Sequence, residues 1–190
     1  MSESTFRTSL RQAVRGLWSG VITRAQFNTM MEKTLLKELS IAWNEGAKEC
    51  GIELVEMTDE ELKARDAFIK EQQSYISEFG AAIREVDRRD KKTIFPLSDR
   101  AKLWLNRYTD ARNRGKQLAC SNKKLRWVLG PTEQHCRDCP KYNGRVHRGS
   151  VWGDIRPQSP HLACHGFRCR CQLVPTNERA TGGKPPRMTG

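Results

Sequence analysis

Apolar residues recur at helical spacing through the first two thirds of the chain. Phe6, Leu10, Val14 and Leu17 form a short stripe that ends at Ser19-Gly20, which predicts a first helix over about 5–17. Thr23 is placed to cap a second helix, in which Phe27, Met31, Leu35, Leu39, Ala42 and Trp43 lie along one face as far as Cys50, with Gly51 as the stop. Thr58-Asp59-Glu60-Glu61 reads as a capping box, with Met57 set to staple against Leu62. The third helix opened there carries Phe68, Ile69, Ile76, Phe79, Ile83 and Val86 inward and is expected to run to about Arg88. The polar run from Arg88 to Lys92 and then Pro96 mark a turn.

A fourth helix is predicted from Ser98 to Ala119, with Ala101, Trp104, Leu105, Tyr108, Ala111 and Leu118 facing the core. Its other face holds Arg100, Lys102, Arg107, Arg112, Arg114 and Lys116, which could line a phosphate backbone or simply be solvated. Met and aromatic residues on the stripes read as core and not as a cofactor box. The pattern then changes. Leu125 to Leu129 is short and apolar and ends at Gly130-Pro131, which predicts a strand. Beyond it Gly144, Gly149, Gly153, Pro157 and Pro160 interrupt any helical period. The expected fold is therefore mainly α, with about four helices in a domain over 1–122. A small zinc-knuckle module of short strands and loops follows over 123–176, and then a tail over 177–190 with little to bury.

Five cysteines fall inside that module, Cys136, Cys139, Cys164, Cys169 and Cys171, as C-x2-C followed by C-x4-C-x-C. Two thiolates three residues apart can hold one ion from a tight turn, and alternate residues of an extended segment point to the same side. The pattern suits Zn2+, whose binding would stabilise a module too small to rest on its apolar core alone. Spacing does not fix the ligand set: Cys136, Cys139, Cys164 and Cys169 are the first choice, Cys171 the alternative fourth ligand. His135, His147, His161 or His165 could replace a thiolate, though they read first as surface residues of a basic loop. A disulfide pair and a redox use are the competing readings. Pro140, Asn143 and Gly144 directly after the C-x2-C favour a turn over a thioredoxin-like helix, and a four-thiolate shell leaves no open position for catalysis. Cys50 and Cys120 stand alone in the sequence.

Charge adds a second asymmetry. The net charge is +12, yet residues 1–90 carry 13 Lys/Arg against 16 Asp/Glu, a net of −3, while residues 91–190 carry 21 against 6, a net of +15. Such a basic half implies an anionic partner, nucleic acid or an acidic protein surface, with a solvated basic surface as the alternative. The basic series beyond the fourth helix is Lys123, Lys124, Arg126, Arg145, Arg148, Arg168 and Arg170. No apolar leader segment precedes the first helix and no run approaches a membrane span, so a cytosolic start without a membrane partner is expected.

Several blocks of this chain resemble the phage Mu F-type minor head proteins, the head-morphogenesis family. They are Leu10 to Gly20, Ala42 to Ala47, Trp104 to Tyr108, Trp127 to Glu133, the Cys136/Cys139 pair with Gly144, Ile155 to Ser159, and Cys169-Arg170-Cys171-Gln172-Leu173. The order of the blocks and the CRCQL ending are the specific part, and the likeness covers about residues 8 to 176. Many family members have His-Pro-x-Cys-Arg-Cys where this chain has Cys164-His165-Gly166-Phe167-Arg168-Cys169-Arg170-Cys171. What the resemblance implies is a minor capsid protein of a tailed bacteriophage or prophage. It would be present in few copies near the portal, touching capsid or scaffold proteins and packaged double-stranded DNA without sequence preference. It would be made in the host cytoplasm and then carried in the virion.

The alternative class is a nucleic-acid-processing enzyme of HNH type, with a zinc knuckle supporting a histidine-carboxylate site. That chemistry needs a His beside an acid on a hairpin and a further ligand on the next helix, and Glu133, Asp138 and Asp154 lie in turn-like contexts. No H-E-x-x-H, P-loop or nucleophile elbow occurs, and no recognition helix separates the ligand pairs. A non-enzymatic assembly role is therefore expected. Arg107, Arg112, Lys116, Lys123, Lys124 and Arg126 are the candidate DNA contacts, the first, second and third of these on what the helical period makes an exposed side.

Overall fold

The computed structural model describes residues 3–132, 134–166 and 169–189; Glu133 and Arg168, both named above, lie outside them. Two apolar cores, joined through one helix, organise the molecule.

The first core is helical. Helices α1 (Glu3–Ser19) and α2 (Arg24–Lys48) are joined at Gly20, whose φ of +78° is a conformation glycine adopts without cost. Thr23 caps α2 reciprocally: its hydroxyl accepts from Gln26 N at 3.2 Å and its own N–H donates to Gln26 Oε1 at 2.8 Å. Thr58 and Glu61 do the same for α3 (Asp59–Ser74), at 3.2 and 2.8 Å. The predicted third helix does not continue to Arg88. It breaks at Tyr75, and α4 (Ile76–Glu85) follows as a separate helix. The break lets α3 press Phe68 and Ile69 between α2 and α6 while α4 turns Phe79 and Ile83 toward α1 and α2. One straight helix could not follow both surfaces.

The predicted fourth helix is also two. α5 (Ile94–Ala101) begins earlier than expected because Pro96 sits in its first turn, where an absent N–H is not missed. A break at Lys102 then precedes α6 (Leu103–Ala119). Along α6 the residues Trp104, Leu105, Tyr108 and Ala111 are buried as predicted, whereas Leu118 is 41 % exposed. Helices α2 and α6 approach each other closely. A Cβ at Gly46 would lie 1.9 Å from Arg112 O, and one at Gly115 would lie 2.2 Å from Trp43 O. Only the two missing side chains let the backbones touch.

The second core forms around a three-stranded antiparallel sheet in the order β2-β1-β3, with β1 (Lys124–Val128), β2 (Val146–Arg148) and β3 (Gln172–Pro175). Register pairs Leu125 with His147 and Trp127 with Leu173. Trp127, Tyr142 and Trp152 stack on one side, with ring centroids 4.7 to 6.2 Å apart. Two single-turn helices, α7 (Cys139–Tyr142) and α8 (Gly149–Trp152), deliver Tyr142 and Trp152 to this stack.

Residues after β3 bury little, none of 177–189 being fully buried, yet they are tied to the module by hydrogen bonds. Thr181 pairs with Val146 through backbone and hydroxyl, Tyr142 donates to Pro186 O at 3.1 Å, Met188 packs on the second core, and Thr189 reaches Asp138. Among the described residues no helix is long and apolar enough to cross a membrane.

Candidate metal centre

The C-x2-C turn and the C-x-C segment, about 30 residues apart in sequence, face each other at one end of the second core. The Sγ atoms of Cys139, Cys169 and Cys171 lie within 4.8 Å of one another, and Cys136 Sγ lies 3.3 Å from Cys139 Sγ. Cys139 and Cys171 are buried; Cys136, Cys164 and Cys169 are partly exposed. Cys164 hydrogen-bonds with both Cys139 and Cys169, so all five thiols of the module converge. The tight triad contains Cys171, the alternative ligand on spacing alone, because the alternation of the C-x-C segment turns Cys169 and Cys171 to one side. None of the four histidines enters the triad. His165 Nδ1 lies 3.0 Å from Pro160 O, His135 Nδ1 contacts Thr132 Oγ1, His161 is exposed, and His147 is buried edge-on against Trp152, contrary to the surface position expected for it.

The donor set has the electrostatics of a cation site. Hydrogen bonds from Cys164, Cys169 and Cys171 push the Cys139 thiol far up, while the bond with Cys139 pulls Cys169 down and brings Cys171 to about 3. Cys171 is helped further by the Gly130 N–H. Thiols this close cannot all ionise side by side, so they share protons; a bound cation removes that conflict and releases the protons. The three converged sulfurs can hold a metal ion.

Two polar devices hold the thiols in place, and neither was apparent from the cysteine spacing. Asp138, inside the C-x2-C turn, is fully buried. Burial opposes its charge, yet Lys141, Thr189 and the Ala163 N–H hold the carboxyl well below its usual range, at 2.8, 2.6 and 2.8 Å. The second device is Gln158, fully buried with φ of +62°, a left-handed conformation uncommon outside glycine. Its Nε2 donates to Cys169 O at 2.8 Å and Cys171 O at 3.0 Å, and its Oε1 accepts from Asn113 Nδ2 at 2.6 Å. Asn113 belongs to α6, so the C-x-C segment is tied through Gln158 to the helical core. No protein-family model, curated protein or solved structure matches this chain.

The face of α6 expected to be basic and solvent-facing is engaged in ion pairs, and one of its members, Lys116, is internal. Lys116 is 1 % exposed, which corrects its assignment to the exposed side. Its Nζ donates to Leu173 O at 2.7 Å and pairs with Glu49 at 2.5 Å, while burial pushes its pKa down. Arg112 pairs with the same Glu49 at 2.6 Å. Arg107 and Arg114 both reach Asp110, at 3.2 and 3.3 Å. Lys123 donates to Cys50 O at 2.7 Å, Lys124 donates to Asn177 O and Glu178 O, and Arg126 pairs with Glu178 at 2.7 Å. Each of the six candidate DNA contacts thus has an intramolecular partner. Cys50 and Cys120, isolated in sequence, form a disulfide with Cα atoms 5.5 Å apart, because α2 and α6 end side by side.

Proposed function

We propose that this chain is a minor head protein of a tailed bacteriophage or prophage, with a structural and non-enzymatic role near the portal, and that its cysteine centre holds a structural Zn2+. The supporting observation is the convergence of the sequence blocks that carry the resemblance. Trp127 of the first block pairs in register with Leu173 of the CRCQL block, Gln158 of the Ile155–Ser159 block holds Cys169 and Cys171 by their carbonyls, and Cys139 meets both of those thiols. Blocks scattered over nearly fifty residues are therefore parts of one centre.

Zinc is the metal that the donor set favours. Tetrahedral sulfurs about 2.3 Å from zinc lie about 3.8 Å apart, which is compatible with three Sγ atoms inside 4.8 Å. Cys139, Cys169 and Cys171 would be three ligands, and Cys136 or Cys164 the fourth. A closed thiolate shell supplies folding energy rather than a reactive position. The proposed partners are portal, capsid or scaffold protein and non-specifically bound double-stranded DNA. The proposed location is the host cytoplasm during assembly and then the virion.

The test is composition of purified particles. Mass spectrometry of a portal-containing subassembly should find this chain in few copies, and its absence from particles would refute the reading. Plasmid nicking with Mg2+ or Mn2+ would point instead to the HNH-type enzyme.

A further inference from the structure

The N-terminal ninety residues are slightly acidic in total, yet the fold sorts their charges by face. Arg7, Arg11 and Arg15 stand at four-residue steps on α1, all exposed, and form one wall of a groove of about 570 Å³ whose opposite wall is α5. Four residues advance a helix by about 6 Å and turn it by about 40°, so the three arginines follow one side of α1 as a slanting row. Arg7 pairs with Glu3 at 3.0 Å, while Arg11 and Arg15 form no ion pair among the described residues. Lys102 adds a further cation. Asp99 is the one carboxylate among the described residues that line the groove, and it is already paired with that lysine at 2.5 Å.

The α5 wall carries Phe95, which is 66 % exposed and also lines the groove. An exposed aromatic ring beside a row of arginines joins two recognition elements, a π face and a charge track. Near the end of α1, Trp18 donates to Thr93 at 3.2 Å, which brings Lys91 and Lys92 to the same end of the track. The contrast with α6 decides which face is available: Lys116 and Arg112 are engaged with Glu49, and Arg107 with Asp110, whereas Arg11 and Arg15 have no such carboxylate among the described residues.

We infer that the α1/α5 groove binds single-stranded nucleic acid, with phosphates along Arg7, Arg11 and Arg15 and a base stacked on Phe95. The inference rests on the charge layout of the helical core and is independent of the head-protein reading.

Fluorescence anisotropy of the full chain with a fluorescein-labelled oligothymidylate tests it. The Arg11→Ala/Arg15→Ala variant should bind at least tenfold more weakly. Its plot of log affinity against log salt should flatten by about 1.4, at about 0.7 for each phosphate no longer neutralised. Phe95→Ala should weaken binding about tenfold and leave that slope unchanged, the signature of base stacking removed without a change in charge. All three side chains are exposed, so each variant should melt like the parent. Arg107→Ala/Arg112→Ala should bind as the parent does. Parental affinity in the Arg11/Arg15 variant, tighter binding of a duplex of the same length, or equal competition by polyglutamate would each overturn the inference, the last by making the groove a site for acidic protein. None of these readouts depends on zinc or portal, so failure here leaves the proposed function standing, and absence from particles leaves this site standing.

Discussion

Asp110 of α6 and Arg156 of the cysteine-rich module form an ion pair at 3.2 Å between the two cores, with Asp110 fully buried and Arg156 only 7 % exposed. Arg107 and Arg114 approach the same carboxylate from α6 itself. One turn on, Asn113 holds Gln158, and beyond it Gln117 donates to Gly149 O and Gly153 O. Asp110, Asn113 and Gln117 thus form a polar stripe at helical spacing that docks the module. Packing alone would leave the module free to slide; directional bonds fix its register.

Asp110→Ala should strand the Arg156 guanidinium in a buried position and cost about 3–5 kcal/mol. Urea denaturation should show the loss, and hydrogen exchange should rise over residues 155–173 before it rises in α2. A double change that also replaces Arg156 with Leu should recover part of the stability. No recovery would mean that the pair does more than neutralise itself.

Metal retention should separate the five thiols of the module. Cys139→Ser and Cys171→Ser should each abolish stoichiometric zinc, because both are buried members of the triad. Cys136→Ser and Cys164→Ser should each weaken it only in part, since either can supply the fourth sulfur. Elemental analysis after dialysis against a chelator reads the difference. Full retention by Cys171→Ser would restore the ligand set favoured by spacing.

Gly115→Ala should be strongly destabilising although it raises helix propensity. Its Cβ would meet Trp43 O at 2.2 Å, and neither backbone can retreat without opening the α2/α6 contact. The overpacking cost is about 1–3 kcal/mol or more, against a propensity gain of about 1 kcal/mol. A thermal melt that rises would contradict the close approach.

Alkaline pH should weaken the helical core through Tyr108. Burial and then the neighbouring Glu45 carboxylate, which accepts its hydroxyl at 3.1 Å, push its pKa up to about 12. The folded state therefore binds the phenolic proton more tightly than the unfolded state does. Its contribution is fully present below pH 10 and is lost as the pH rises from 10 through 12. Tyr108→Phe should flatten stability against pH in that window alone, as followed by denaturant midpoints.

Reduction should lower stability without releasing metal. The Cys50–Cys120 bond spans a sequence separation of 70, and closing a loop of that size stabilises by about 4 kcal/mol in the chain-entropy picture. Denaturation with and without a phosphine reductant should differ by an amount of that order. Cys50→Ser should match the reduced parent and keep its zinc.

Local rules written in the sequence determined the predominantly helical fold, the capping boxes at Thr23 and Thr58, the core stripes of α1 and α2 and the strand that opens the module, because each depends on residues within a few turns of one another. Tertiary contacts decided the rest. Helix breaks at Tyr75 and Lys102 follow the surfaces that the helices must cover, and neither position carries a Gly or Pro to announce it. Lys116 and Asp110 look like surface residues until Glu49, Leu173 and Arg156 arrive from distant positions to partner them. The choice of Cys171 for the triad, the left-handed Gln158 that holds it, and the meeting of Cys50 with Cys120 all require segments tens of residues apart to be brought together. Periodicity records which side of an element faces inward. It does not record which charged groups the interior will accept, because that depends on partners that only the folded chain supplies.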